Sequence, residues 1–118
     1  MNVEELRAYC LEKTGTTESF PFDSETLVLK VMGKMFALIP LERGNSIALK
    51  CDPERAATLR EEWEEITGAY HMNKTHWNTV IVNGRLSREL VREMIDHSYE
   101  LVVASLKKSE REALKALG

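Results

Sequence analysis

The segment from Thr26 to Cys51 constrains the fold of this chain most, because it holds three short strand-like runs with little between them. Thr26–Met32, Met35–Ile39 and Ser46–Cys51 are rich in branched apolar residues. Gly33-Lys34 joins the first two runs and predicts a type II′ hairpin turn, since Gly is the first of the two linking residues. Strands joined by such short links pair in an antiparallel meander.

Alternation along the first run assigns its side chains to two faces. Leu27, Leu29 and Val31 share one face, whereas Val28 and Lys30 share the other. The third run repeats this arrangement, with two apolar side chains on one face and Lys50 on the other. We therefore expect one face of the sheet to pack against helices and the other to carry basic residues, with charge scattered over the solvated surface as the alternative.

Helical periodicity predicts three helices. The first begins after Asn2, a plausible N-cap with two glutamates in the following turn. The second begins at Asp52-Pro53, where Asp caps and Pro takes the first helical position, and is ended by Gly68. The third begins after Ser87, and its core-facing stripe repeats every three or four residues as far as Leu106.

The remaining segments complete an α+β prediction in the order helix, three strands, helix, strand, helix. Residues Thr14–Asp23 are predicted to form a loop, and Trp77–Val82 to form a strand closed by Asn83-Gly84. We expect an antiparallel sheet of about four to five strands backed by helices. Residues 1–106 are predicted to form a single domain, followed by a charged tail over 107–118 with helical potential.

Composition narrows the classes of protein. A net charge of −3 argues against a strong, non-specific nucleic-acid binder, although residues 26–50 carry four basic side chains and one acidic side chain. The chain lacks an apolar run near the roughly 20 residues needed to span a bilayer. Cys10 and Cys51 make no CxxC spacing and are expected to be free thiols. These features predict a cytoplasmic monomer with no membrane association.

The stretch from His71 to Asn78 is the candidate working surface. Two His, two Asn, a Lys and a Trp lie within eight residues, between a predicted helix and a predicted strand. Scaffolding seldom requires so many different polar groups in one connection, whereas binding groups commonly lie on such loops.

Five segments of the chain also resemble a known family. They are Pro21-Phe22-Asp23, the hairpin at 30–37, Leu49–Pro53, the stretch 70–77, and Asp96–Val102. Together they resemble the MmcQ/YjbR family over roughly residues 5–106. The resemblance implies a CyaY-like α+β fold, and DNA binding by analogy with a double-wing domain of a phage transcription factor. It implies no catalytic activity.

A double-wing interpretation gives each polar residue a role on DNA. Lysines would contact phosphates, amide side chains would read base edges, and an indole would stack on a base or insert beside a groove. The residues in these roles are Lys30, Lys34, Lys50 and Lys74 for phosphates, Asn73 and Asn78 for bases, and Trp77 for stacking. Purely structural roles remain open, with Asn73 bonding backbone groups in a turn, Trp77 in the core and Lys34 serving solubility.

Three histidines complete the candidate cleft, namely His71, His76 and His97. Their spacing matches no structural zinc site, and pairing Cys51 with His71 would leave a nucleophile without a third member or an oxyanion donor. We therefore expect no metal, no cofactor and no catalytic residue. His97 and Tyr99 flank the core stripe of the last helix and are predicted to hydrogen-bond the loop from His71 to Asn78.

Two functions follow from these residues. The first is DNA binding of the MmcQ/YjbR type, weak and salt-dependent. The second is a non-enzymatic binding module that takes a protein partner or a small anionic ligand at the cleft between His71 and Trp77. A continuous basic patch would favour DNA, and a pocket with convergent polar groups would favour a ligand.

Overall fold

A computed structural model of the chain describes residues 1–69 and 72–118. The chain forms an α+β fold with a six-stranded antiparallel sheet in the order β1-β2-β3-β4-β6-β5, which confirms the predicted class. The elements are α1 (Val3–Leu11), β1 (Thr16–Ser19), β2 (Thr26–Val31), β3 (Lys34–Pro40), a 3₁₀ turn (Leu41–Arg43), β4 (Ser46–Lys50), α2 (Pro53–Glu62), β5 (Ile66–Gly68), β6 (Trp77–Ile81), α3 (Arg88–Ala104) and α4 (Lys108–Leu117).

The helices pack on one face of this sheet and form the main core with it. Leu27, Leu29 and Val31 of β2 point into that core, as their alternation predicted. Leu6 of α1 and Ile95 of α3 meet them there. The opposite face, called the open face below, carries a second, smaller apolar cluster made of Val28, Leu38, Ala69 and Trp77, with Met35, Ala48 and Met72 packed against it.

The link between β2 and β3 differs from the predicted turn. Val31 pairs with Lys34, so the two linking residues are Met32 and Gly33. Both have positive φ, 49° and 82°, which defines a type I′ turn rather than the predicted type II′ turn at Gly33-Lys34. Because Lys34 pairs with the core residue Val31, its side chain starts on the helical side of the sheet.

A β-bulge interrupts the same hairpin. Leu29 pairs with Ala37 and Lys30 with Met35, which leaves Phe36 as an extra residue. Phe36 and Ala37 are both fully buried in the main core. The bulge therefore points two successive side chains toward the helices.

Two predicted boundaries were wrong, because both sheet edges lacked a clear strand pattern. The predicted loop Thr14–Asp23 contains β1, whose residues are polar and exposed beyond Thr16. The second helix ends at Glu62 instead of continuing to Gly68, and the three-residue strand β5 follows it. Short polar edge strands carry little hydrophobic periodicity, and they depend on pairing with a neighbour.

The helix starts follow their sequence signals. The side chains of Asn2, Asp52 and Ser87 each accept a backbone N–H three residues later, as predicted for N-caps. The segment after Lys107 forms α4, and its Leu114 is buried in the main core. None of the helices in the described part of the chain is long and apolar enough to cross a bilayer.

Candidate binding face of the sheet

The open face holds a groove with an apolar floor. Leu38 and Ala48 are paired neighbours on β3 and β4, and both project from this side of the sheet. Ala69 and Met72 close over them from the connection after β5. The groove encloses about 580 Å³, within the range of roughly 300–1,000 Å³ that is typical of small-molecule sites.

The rim of this groove is acidic. Among the described residues, it is lined by Asp23, Glu25 and Glu42 together with one cation, Arg43. The Asp23 carboxylate accepts the backbone N–H groups of Glu25 at 2.9 Å and Thr26 at 2.7 Å. These two hydrogen bonds lower the pKa of Asp23, so it remains ionised well below neutral pH.

Glu42 lies close enough to Glu25 to perturb the ionisation of Glu25. A shared hydrogen bond and the negative charge of Glu42 raise the pKa of Glu25 above its ordinary value. The backbone holds the two segments together, because the Leu41 N–H donates to the Glu25 carbonyl at 2.8 Å. The rim therefore concentrates negative charge that cations can neutralise.

Residues 73–77, just before β6, are held in a turn by hydrogen bonds to Asn73. The Asn73 side chain accepts the Thr75 N–H at 2.9 Å, and its carbonyl accepts the N–H groups of His76 and Trp77. Asn73 thus fulfils the predicted structural role of an asparagine in a turn. The Lys74 carbonyl accepts a hydrogen bond from Arg60 of α2 at 2.7 Å.

The four lysines predicted to contact phosphates are divided between the two sides of the sheet. Lys30 and Lys50 alternate with core residues on β2 and β4, so both lie on the open face. The Lys34 ammonium donates to the Ser105 carbonyl at the end of α3, at 3.3 Å. The Lys74 stem lies over Gly68, where a Cβ would point to the helical side. A single patch of all four lysines does not form.

The two side chains predicted to read or stack on bases are also separated. Trp77 pairs with Lys50 on the open face, and it is only 9% exposed within the smaller apolar cluster. Asn78 is 2% exposed and faces the helices. Its side-chain amide donates to the Ala56 carbonyl and accepts from Arg60, both at 3.3 Å. Burial on the helical side removes Asn78 from a surface that could read base edges.

The histidines do not converge as a cleft in the part of the chain that is described. His71 lies outside the described residues. His76 is half-buried, and its backbone carbonyl accepts a hydrogen bond from the Cys51 N–H at 2.7 Å. His97 Nε2 accepts the Asp52 N–H at 3.2 Å, so this ring nitrogen is used at the start of α2. Burial raises the pKa of the Cys51 thiol, which disfavours a thiolate nucleophile.

The predicted partners of the last helix need correction. His97 bonds the N-cap of α2, and the Tyr99 hydroxyl donates to the Thr14 carbonyl at 2.6 Å. Neither hydrogen bond reaches the described residues of the loop before β6. These partners lie 45 and 85 residues away in the chain, and local periodicity does not predict contacts at such a distance.

The fold and sequence have known relatives. A family model described as YjbR matches residues 11–101. The chain belongs to the YjbR family. It is 32% identical to the Escherichia coli protein YjbR, described as uncharacterized, over 99% of this chain and all of that protein. The Escherichia coli protein YbdF, also described as uncharacterized, is 34% identical over 95% of this chain and 93% of its own length.

Solved structures of relatives share the architecture of this YjbR-family chain. A crystal structure of a Deinococcus radiodurans protein superposes with a TM-score of 0.88 at 40% identity, covering 96% of this chain and 87% of that one. A crystal structure of a Pseudomonas syringae protein gives a TM-score of 0.73 at 32% identity, covering 86% and 98%.

Sequence reasoning missed the rim of the groove in this YjbR-family chain. Phe22, Asp23, Glu25, Glu42 and Arg43 come from two loops that flank the β2–β3 hairpin. One local signal was available, because Phe22 is a large aromatic residue in a polar loop and is 64% exposed. Phe22 and Asp23 are adjacent in the chain, so this pair of an aromatic side chain and a carboxylate was visible in the sequence.

Proposed function

We propose that this chain is a non-catalytic binding protein whose recognition surface is the open face of the sheet. The groove over Leu38 and Ala48 carries this proposal, because it places apolar surface and charged groups together on the side without helices. Ligand sites commonly combine an apolar lining with a few polar groups in this way. The acidic rim favours a ligand or protein segment with positive charge over the small anionic ligand expected from the histidines.

A non-catalytic role is supported by how the reactive groups are used. The Cys51 thiol is buried and its pKa is raised, which opposes nucleophilic attack. His97 Nε2 accepts a backbone N–H and is therefore not free to act as a general base. His97 thereby links α3 to the start of α2, and Cys51 packs in the main core.

The binding role is tested by blocking the groove. Ala48→Leu adds bulk at the centre of the floor, whereas Ala57→Leu makes the same change on an exposed position of α2. A fragment screen followed by backbone amide NMR shifts should place hits at Leu38, Ala48 and Thr79. We expect Ala48→Leu to abolish these shifts and Ala57→Leu to preserve them. Hits confined to the helical side, or unaffected by Ala48→Leu, would reject the open face as the recognition surface.

DNA binding is the second candidate, and a specific arrangement favours it. Lys30 and Lys50 project from the same face, and Trp77 pairs with Lys50 at this end of the sheet. Two ammonium groups beside an indole suit a phosphate backbone with a neighbouring base. The acidic rim lies toward the other end of the strands, so the contact with DNA would be confined to the lysine end.

A salt-series titration with labelled duplex and single-stranded DNA tests this second candidate. Two phosphate contacts predict that log K falls by roughly two units per decade of salt on duplex DNA. Lys50→Gln should reduce that slope by about one unit, while Lys34→Gln, on the helical side, should leave it unchanged. Affinity that does not depend on salt, or an equal response to both variants, would exclude this lysine pair as the DNA contact.

A further inference from the structure

The floor and rim of the groove have different chemistry, and together they specify a class of ligand. Leu38, Ala48, Ala69 and Met72 offer an apolar surface that would cover a ring or a short aliphatic chain. Burying apolar ligand surface there is favourable in proportion to the area removed from water. The floor alone selects size and shape but not charge.

The rim supplies the charge selection. Among the described residues that line the opening, three are acidic, Asp23, Glu25 and Glu42, and one is basic, Arg43. Hydrogen bonds from two backbone N–H groups orient the Asp23 carboxylate. A carboxylate oriented before binding loses little conformational entropy when it receives a cation. The excess of negative charge attracts cations and repels anions.

Glu25 and Glu42 add a reason for a cation to be retained. Both residues line the opening, and the neighbouring Glu42 carboxyl raises the pKa of Glu25 through hydrogen bonding and through its negative charge. An ammonium or guanidinium between them would remove this repulsion and satisfy both groups. The neighbouring ring of Phe22, which is exposed, offers a face on which a cation can also rest.

We propose that the groove binds a small organic cation that carries its ammonium or guanidinium on an apolar body, with the charge at the Asp23–Glu42 rim and the body on the Leu38–Ala48 floor. This inference rests on the proposed function, because it assigns a ligand class to the same open face. It adds the sign of the ligand's charge and the orientation of the ligand between the rim and the floor of the groove.

Three probes with the same aromatic body test the charge preference. Phenethylammonium, phenethyl alcohol and phenylacetate each carry two carbons beyond the ring and end in a positive, neutral or negative group. Amide NMR shifts at Thr26, Leu38, Ala48 and Thr79 report binding in the groove. We expect phenethylammonium to bind roughly tenfold more tightly than phenylacetate, with phenethyl alcohol between them. Equal affinity for the three probes, tighter binding of phenylacetate, or no binding of phenethylammonium would overturn the proposal.

A pair of variants locates the charge contact. Glu42→Gln removes one rim charge, and Glu112→Gln makes the same change on the exposed surface of α4. We expect Glu42→Gln to weaken phenethylammonium binding by roughly two- to fivefold, as is typical of one exposed charge pair. Glu112→Gln should leave the affinity for phenethylammonium unchanged. Glu42→Gln should leave the affinity for phenethyl alcohol unchanged. An equal loss in both variants would overturn the assigned rim.

The outcomes separate this inference from the proposed function. If the neutral probe binds as tightly as the cation and Ala48→Leu blocks both, the open face is a recognition surface without charge selection. The proposed function then stands and the cation inference fails. If Ala48→Leu blocks neither probe, the probes do not occupy the groove and both proposals fail.

Discussion

The two faces of the sheet differ in how completely side chains fill them. On the helical side, β2 residues such as Leu29 are sealed beneath α1 and α3, and the bulge adds Phe36 to the same core. On the open face, the Leu38 and Ala48 side chains border a groove of about 580 Å³. The same alternating strands thus seal a core on one face and border an open groove on the other. We therefore expect the same truncation to lower the free energy of unfolding more on the helical side than on the open face.

The largest difference is expected between Leu29→Ala and Leu38→Ala. Leu29 is fully buried in the main core, so its truncation should lower the free energy of unfolding by about 2–5 kcal/mol. Leu38→Ala should cost about 1–2 kcal/mol, because water in the groove can occupy the space and no sealed cavity forms. Urea denaturation of both variants measures the difference. Equal losses would show that the two faces are equally packed.

Ser98→Ala should cause the next largest loss of stability, because Ser98 on α3 is hydrogen-bonded to β3 at the bulge and to β4. Its hydroxyl donates to the Phe36 carbonyl at 2.6 Å and accepts the Lys50 N–H at 2.9 Å. Removing it leaves buried backbone groups without that partner, which should cost about 1–3 kcal/mol. Ser24→Ala, at an exposed position, is the control. A Ser98→Ala variant as stable as the control would refute this bridging role.

Gly15→Ala probes the packing of α4 on the helical side. Gly15 has φ +74°, and a Cβ there would lie 2.4 Å from Leu114 Cδ1. Gly33 has φ +82° in the type I′ turn with open space around it, so Gly33→Ala measures the backbone strain alone, about 1–2 kcal/mol. Gly15→Ala should cost more than Gly33→Ala, and Leu114→Ala should remove the excess. Thermal unfolding of the double-mutant cycle detects this coupling.

The smallest effect is expected at the rim of the open face. The raised pKa of Glu25 means that the folded state binds its proton more tightly than the unfolded chain does. Stability contributed by this group is therefore present below its unfolded pKa and is lost as pH rises through the folded pKa. Glu42→Gln removes the cause and should slightly raise the melting temperature at neutral pH. An NMR titration should show the Glu25 pKa returning toward its ordinary value, and an unchanged pKa would contradict the pairing.

Part of the candidate site could be predicted from local pattern. Alternation placed Lys30 and Lys50 on the face opposite the core, and both lie there. The placement of Lys34 depended on the turn, since the shift from Gly33-Lys34 to Met32-Gly33 put it opposite Val31. A shift of one residue in a hairpin exchanges the faces of the side chains that follow.

Sequence by itself determined the elements whose signals are local. The capped starts of α1, α2 and α3, the central strands and the family could all be read from short segments, because caps and periodicity act within a few residues. The tertiary structure decided the edge strands, the burial of Asn78 and the partner of His97. It also brought Phe22, Asp23 and Glu25, Glu42 and Arg43, and Ala69, Met72 and Thr79 around one groove. These features depend on contacts between distant segments, which form only when the sheet closes and its helices pack.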